Sequence, residues 1–136
     1  MKIRSALISI SDKKEINNLL KVLSKYKIKL ISSGGTFKKI KSLGYSCFEV
    51  SNYTNFPEIL DGRVKTLHPK IHSGILFKRN KKYQKKILKK LNFEGIDLVI
   101  TNFYPFQKTI DTTKVHEKII ENIDIGGPTL VRSAAK

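Results

Sequence analysis

Short apolar runs alternate along this chain with segments whose apolar residues recur every three or four positions. Residues 3–10, IRSALISI, form the first run and read as a strand ending at Ser11-Asp12. Behind it Ile16, Leu19, Leu20, Leu23 and Tyr26 fall on one helical face, which Ser11 or Asp12 can cap. Residues 27–33, KIKLISS, read as a second strand. Gly34-Gly35-Thr36 then turns into a helix carrying Phe37, Ile40 and Leu43, closed by Gly44. A third strand is expected at 46–51, a helical turn at 56–60 and a further strand at 72–77. Residues 80–92 read as a basic helix with Ile87, Leu88 and Leu91 inward. Residues 96–104, IDLVITNFY, give the clearest strand, an apolar run of the kind buried on both faces of a parallel sheet. A helix is expected over 111–122 with Val115, Ile119 and Ile120 inward, and another from Pro128. Such alternation predicts an α/β fold with a mostly parallel sheet. The last helix reaches Lys136 in mid-pattern without a cap, which reads as a chain cut short.

Composition narrows the picture. At 136 residues the chain fits one domain with one real core. Its single cysteine, Cys47, excludes an intramolecular disulfide and fits a reducing compartment. Lying in the short apolar run YSCFEVS, Cys47 reads as a structural thiol rather than a nucleophile. No apolar run approaches the roughly 20 residues that span a membrane. The N-terminal run is broken by serines and reads as a strand rather than a signal peptide, so a soluble cytoplasmic protein is expected. The formal net charge of +16 invites a nucleic-acid reading. Lys outnumbers Arg, however, and the densest basic run, residues 78–90, reads as a solvated helix face. No membrane and no specific nucleic-acid partner is expected.

In open parallel sheets, ligands bind beyond the carboxyl ends of the strands. The segments placed there are Ser11-Asp12-Lys13, Ser32-Ser33-Gly34-Gly35-Thr36, Asn102-Phe103-Tyr104-Pro105 and Asp124-Ile125-Gly126-Gly127. SSGGT ahead of a helix suits an anion: glycines turn backbone N–H groups toward it, the helix dipole adds to them, and hydroxyls donate. Lys13 can add charge, yet neither a P-loop nor a GxGxxG pattern is present. A plain turn is the competing reading of the glycine pair. The segment GRVKTLHPKIHSGIL, residues 62–76, concentrates Arg63, Lys65, Lys70, His68 and His72. The histidines stand four apart, but Pro69 lies between them and no HExxH motif or neighbouring carboxylate joins them. They read as hydrogen-bonding groups of a polar wall, with no metal expected. His116 reads as a bystander. Taken singly, Asn102 and Tyr104 could be a polar strand end, Asp124 a helix cap and Lys136 a surface lysine.

Together SISDK, SSGGT, GRVKTLHPKIHSGIL, TNFYPF and DIGGPTLVRSAAK, in this order and spacing, closely resemble the N-terminal IMP cyclohydrolase domain of the bifunctional AICAR transformylase/IMP cyclohydrolase family. The resemblance runs from Ser11 to the last residue. It implies a methylglyoxal-synthase-like, three-layer fold, a parallel sheet between helices. It makes residues 1–136 one cyclohydrolase domain, incomplete at its C-terminus, with the transformylase domain absent. The implied reaction is dehydrating ring closure of FAICAR to IMP, without cofactor or metal, in a protein that is a homodimer when intact. The implied nucleotide-binding residues are Ser11, Asp12, Lys13, Ser33, Gly34, Gly35, Thr36, Arg63, Val64, Lys65, Thr66, Asn102, Asp124 and Ile125. The implied catalytic group is Lys65, Tyr104, Asp124 and Lys136. The same fold also serves methylglyoxal synthase, which wants catalytic aspartates on these loops where this chain has few. It also serves a phosphate-ligand-binding regulatory domain without chemistry.

Overall fold

A computed structural model describes residues 2–136. Its strands are β1 (Ser5–Ser9), β2 (Lys29–Ser32), β3 (Phe48–Glu49) and β4 (Leu98–Thr101). They form one parallel sheet in the order β3-β2-β1-β4. The helices are α1 (Ile16–Lys25), α2 (Gly34–Ser42), α3 (Val50–Thr54), α4 (Pro69–Leu76), α5 (Lys82–Lys90), α6 (Phe106–Thr112), α7 (His116–Glu121) and α8 (Gly126–Ala135), with a 3-10 turn at Leu60–Gly62.

Strand alternation splits the core into two layers. Leu7, paired in register with Ile31 and Val99, faces Val50, Tyr53, Ile71, Ile75 and Leu130 from α3, α4 and α8. Ala6 and Ile8 face the other way, with Leu30, Leu98 and Ile100, onto Ile16, Leu20 and Leu23 of α1 and Ile40 of α2. The result is the expected three layers. Among the described residues no helix is long and apolar enough to cross a membrane.

Several boundaries differ from the sequence expectation, each for a local reason. Of residues 72–77, expected as a strand, 72–76 belong to helix α4 and Phe77 follows its end. Pro69 opens that helix, where its missing N–H costs nothing, and His68 caps it by accepting from the Lys70 N–H at 3.1 Å. Ile71, Gly74 and Ile75 then point inward at helical spacing. The helix expected over 111–122 is instead two short ones. Thr113 is extended and its Oγ1 accepts from the Val115 N–H at 3.2 Å, a local bond that competes with the helix. The helical turn expected at 56–60 gives way to the 3-10 turn, and the third strand shrinks to two residues because Val50 already starts α3. Strand β4 is half-buried at the sheet edge rather than buried on both faces. In α5 only Leu88 is buried, while Ile87 and Leu91 are about half exposed, at 49% and 52%. Val115 and Ile120 are likewise exposed. Helix α1 starts at Ile16 without a side-chain cap, so Ser11 and Asp12 do not cap it.

The packing sets a stability contrast. Leu7→Ala, on the fully buried inner strand, is expected to cost about 2–5 kcal/mol. Tyr26→Ala, on the face once expected inward but 67% exposed, should stay within about 0.5 kcal/mol. Urea denaturation of both variants checks the pair.

Candidate functional site

The strand order reverses direction beside β1, and a crevice opens there at the carboxyl ends of β1 and β4. It is a cavity of about 680 Å³, within the usual range for small-molecule sites. Of the residues expected at a site, Ser11, Lys13, Ser33, Gly35, Thr36, Arg63, Lys65, Thr66, Asn102, Tyr104, Asp124 and Ile125 line it. Asp12, Gly34 and Val64 lie beside it without lining it. Lys136 follows the end of α8, whose first residues, Gly126 and Gly127, are in the cavity wall. At 1.5 Å per residue, about 15 Å of helix separates Lys136 from that wall.

The walls are built by side chains that bond to backbone. Asn102 Oδ1 accepts from the N–H groups of Ser11 at 2.6 Å and Asp12 at 3.2 Å, and its Nδ2 donates to the Asp12 carbonyl at 2.9 Å. This ties the loop after β1 to the end of β4. The buried Thr36 hydroxyl donates to the Ile10 carbonyl at 2.8 Å and accepts from the Ile10 N–H at 3.3 Å. It fastens α2 to the same loop. Asp124 Oδ1 accepts from the Gly127 N–H at 2.9 Å and so caps α8 from the cavity side. A Cβ at Gly127 would stand 2.6 Å from Asp124 Oδ2, which explains the glycine.

The anion-binding expectation acquires a geometry at α2. Ser33 precedes the helix in extended backbone without a side-chain cap bond, so the first-turn N–H groups have no side-chain acceptor. Gly34 has φ +53°, a conformation that favours glycine. Lys65 Nζ lies 2.9 Å from where a Cβ of Gly34 would be, and Lys13 Nζ lies 3.9 Å from the equivalent point at Gly35. Two ammonium groups thus flank one helix N-terminus. Lys13 Nζ also donates to the Ser11 carbonyl at 2.9 Å.

Two of the cavity cations are met by carboxylates that the motifs did not single out. Arg63 pairs with Glu121 of α7, and Lys65 Nζ stands 3.7 Å from Glu58 Oε1. The hydrogen bond to Glu121 pushes the Arg63 guanidinium further above its already high range. Glu121, Ile120 and Asp61 also line the cavity. Their only sequence signal was proximity to the motifs, since pairings over such separations leave no local pattern.

The MGS-like domain family matches residues 15–129. The chain belongs to that family. It is 50% identical over 133 residues to the bifunctional purine biosynthesis protein PurH of Clostridioides difficile (strain 630), covering 98% of this chain and 26% of that protein. Identity to PurH of Wigglesworthia glossinidia brevipalpis is 55% over 135 residues, covering 98% and 25%. The chain therefore spans about a quarter of the length of these relatives, and it is homologous to the N-terminal, IMP cyclohydrolase region of PurH. The crystal structure of ForH superposes with a TM-score of 0.81 at 27% identity, covering 98% of this chain and 68% of that one.

In this MGS-like domain the histidines stand apart from the cavity. His68 caps α4, and His72 Nδ1 lies 2.8 Å from Ser133 Oγ. Among the described residues no three His, Cys, Asp or Glu side chains gather closely enough to hold a metal ion. Burial pushes the Cys47 thiol up to about 11, with Lys41 opposing, so the reactive thiolate is disfavoured.

Burial first, and Lys70 second, lower the His68 pKa below its ordinary value. The unfolded chain therefore binds this proton more readily than the folded one. His68 contributes fully to stability above pH 6.5, and the contribution falls as pH drops through 6.5 toward the lower folded value. His68→Asn keeps a capping acceptor without a titrating ring. It is expected to reduce the difference in urea midpoint between pH 7.5 and pH 5.5; an unchanged difference would contradict this role.

Proposed function

We propose that this chain catalyses the ring closure of FAICAR to IMP. The carboxamide nitrogen attacks the formyl carbon, a C–N bond forms, and the former formyl oxygen departs as water. Its two protons come from the carboxamide nitrogen and the formamido nitrogen. The observation that carries the reading is the placement of Lys65: its ammonium stands at the N-terminus of α2, beside Lys13, in a cavity that Tyr104 and Asp124 also line.

The N-terminus of α2 with Lys13 is a place for the 5′-phosphate, because backbone N–H groups, helix dipole and ammonium all favour an anion. With the phosphate fixed, the formamide and carboxamide are held near one another, and much of an intramolecular closure is that positioning. Lys65 donates to the oxyanion that builds on the formyl oxygen, where a fixed cation acts most strongly. Tyr104 and Asp124 orient the carboxamide and relay protons. The family resemblance gives Lys136 a proton-transfer role as well. Its distance along α8 from the cavity leaves Lys65 as the better-supported member of the pair.

The test is IMP formation from FAICAR by the full-length protein. Lys65→Ala is expected to lower kcat by about 100-fold or more, the usual cost of losing an oxyanion donor. Lys136→Ala is expected to lower kcat as well. Near wild-type turnover by both variants at saturating substrate would overturn the roles. IMP binding without turnover in the wild type would favour a phosphate-ligand regulatory domain instead.

A further inference from the structure

We infer that Glu58 is a positioning residue that holds Lys65 for the reaction, an inference that rests on the role proposed for Lys65 above. Glu58 does not line the cavity, and no motif draws attention to it. Three consecutive residues, Leu60, Asp61 and Gly62, have φ of +51°, +53° and +83°. Non-glycine side chains rarely adopt this left-handed conformation, least of all two in succession. The turn doubles the chain back, so that the Glu58 carboxylate crosses Gly62 and faces the Lys65 ammonium at 3.7 Å.

The two glycines explain the geometry. A Cβ at Gly62 would collide with Glu58 Oε1 and stand 3.0 Å from Lys65 Nζ. A Cβ at Gly34 would stand 2.9 Å from the same Nζ. The ammonium thus occupies a slot between two residues without side chains. Among the described residues, Glu58 is the one carboxylate within salt-bridge distance of it.

The slot is a poor place for an unaccompanied cation. The positive end of the α2 dipole lies on the Gly34 side, and Lys13 approaches the next glycine. Lysine has four flexible methylenes and, without a counter-charge, its head would swing out toward water. Glu58 offsets that repulsion from behind, on the side away from the helix. It fixes where the ammonium points without occupying the space of the substrate.

The experiment compares wild type, Glu58→Gln, Glu58→Ala, Lys65→Ala and Glu58→Gln/Lys65→Ala in the full-length protein, following IMP formation from FAICAR. Glu58→Gln and Glu58→Ala are expected to lower kcat roughly 10- to 100-fold, as misplacement of a reacting group does, with KM within about threefold of wild type. In the Lys65→Ala background the same Glu58→Gln change should add less than about twofold, because both act through one ammonium. Glu58→Asp should recover part of the rate. Circular dichroism and urea midpoints report folding separately. Near wild-type kcat in Glu58→Gln overturns the inference. So does an equal loss in the Lys65→Ala background, or a loss that disappears when activity is normalised to folded protein. A wild type that forms no IMP overturns the parent reading, and this one with it.

Discussion

The side-chain amide of Asn102 spans the gap between the ends of β4 and β1, accepting twice from the loop after β1 and donating back to it. Neighbouring parallel strands bond along their length, but beyond their carboxyl ends nothing in the ladder holds the loops apart or together. At the point where strand order reverses, that freedom would let the crevice collapse or splay. An amide is suited to the task because it can accept and donate at once, which neither a carboxylate nor an ammonium can. Thr36 makes the equivalent reciprocal pair with Ile10 from the side of α2. With both in place, the N-terminus of α2, the loop bearing Lys13 and the end of β4 keep fixed relative positions. The polar groups that define the cavity are therefore of two kinds. Some are committed to backbone, and others, such as Tyr104, remain for a ligand.

The charge distribution follows the same division. The chain is basic overall, at +16, and four of its 11 acidic residues stand where the cavity cations are. Glu58 meets Lys65, Glu121 meets Arg63, and Asp61 and Asp124 line the same wall. Elsewhere Lys29 meets Glu94 and Arg79 meets Asp97, while the lysines of α5 are solvated. A cleft lined only by cations would bind any polyanion and repel its own walls. Pairing Arg63 with Glu121 and Lys65 with Glu58 limits this, and an incoming anion must compete for them. Both pairs are partly exposed, so each is individually weak and open to such competition.

How far the sequence spoke depended on the range of the interaction concerned. The doubly buried β1 and the strong face of α1 were readable because their periodicity is local. The site loops were readable because they follow strands and carry glycine, serine and lysine together. Where a strand was expected at 72–77, Pro69 instead opens α4, since a proline at N1 gives up only a donor that has no helical partner. Thr113 broke a helix that hydrophobic spacing had carried through, because one hydroxyl-to-backbone bond outweighed a weak amphipathic pattern. Glu58 and Glu121 were invisible for a different reason. Their meaning lies in the cations they face, 7 and 58 positions away, and the first contact exists only because three left-handed residues fold the chain back.

That turn also places Lys65, the proposed oxyanion donor, beside a thinly buried segment. Residues 55–61 are all exposed, so little apolar burial holds them. Their order comes from short backbone bonds, Gly62 N–H to Ile59 and Arg63 N–H to Leu60, and from the two ion pairs. Segments with few buried contacts occupy the low end of local stability. The opposite wall is different in kind: Thr36 is buried, and α2 packs Ile40 into the core. A ligand phosphate held by the rigid α2 side would meet cations presented from the weakly held side. Binding would then draw that wall in through Arg63, adding a ligand contact to the one that Glu121 supplies beforehand. Strain at Leu60 and Asp61 is tolerable in that setting, because it is set against surface ion pairs and backbone bonds rather than against core packing.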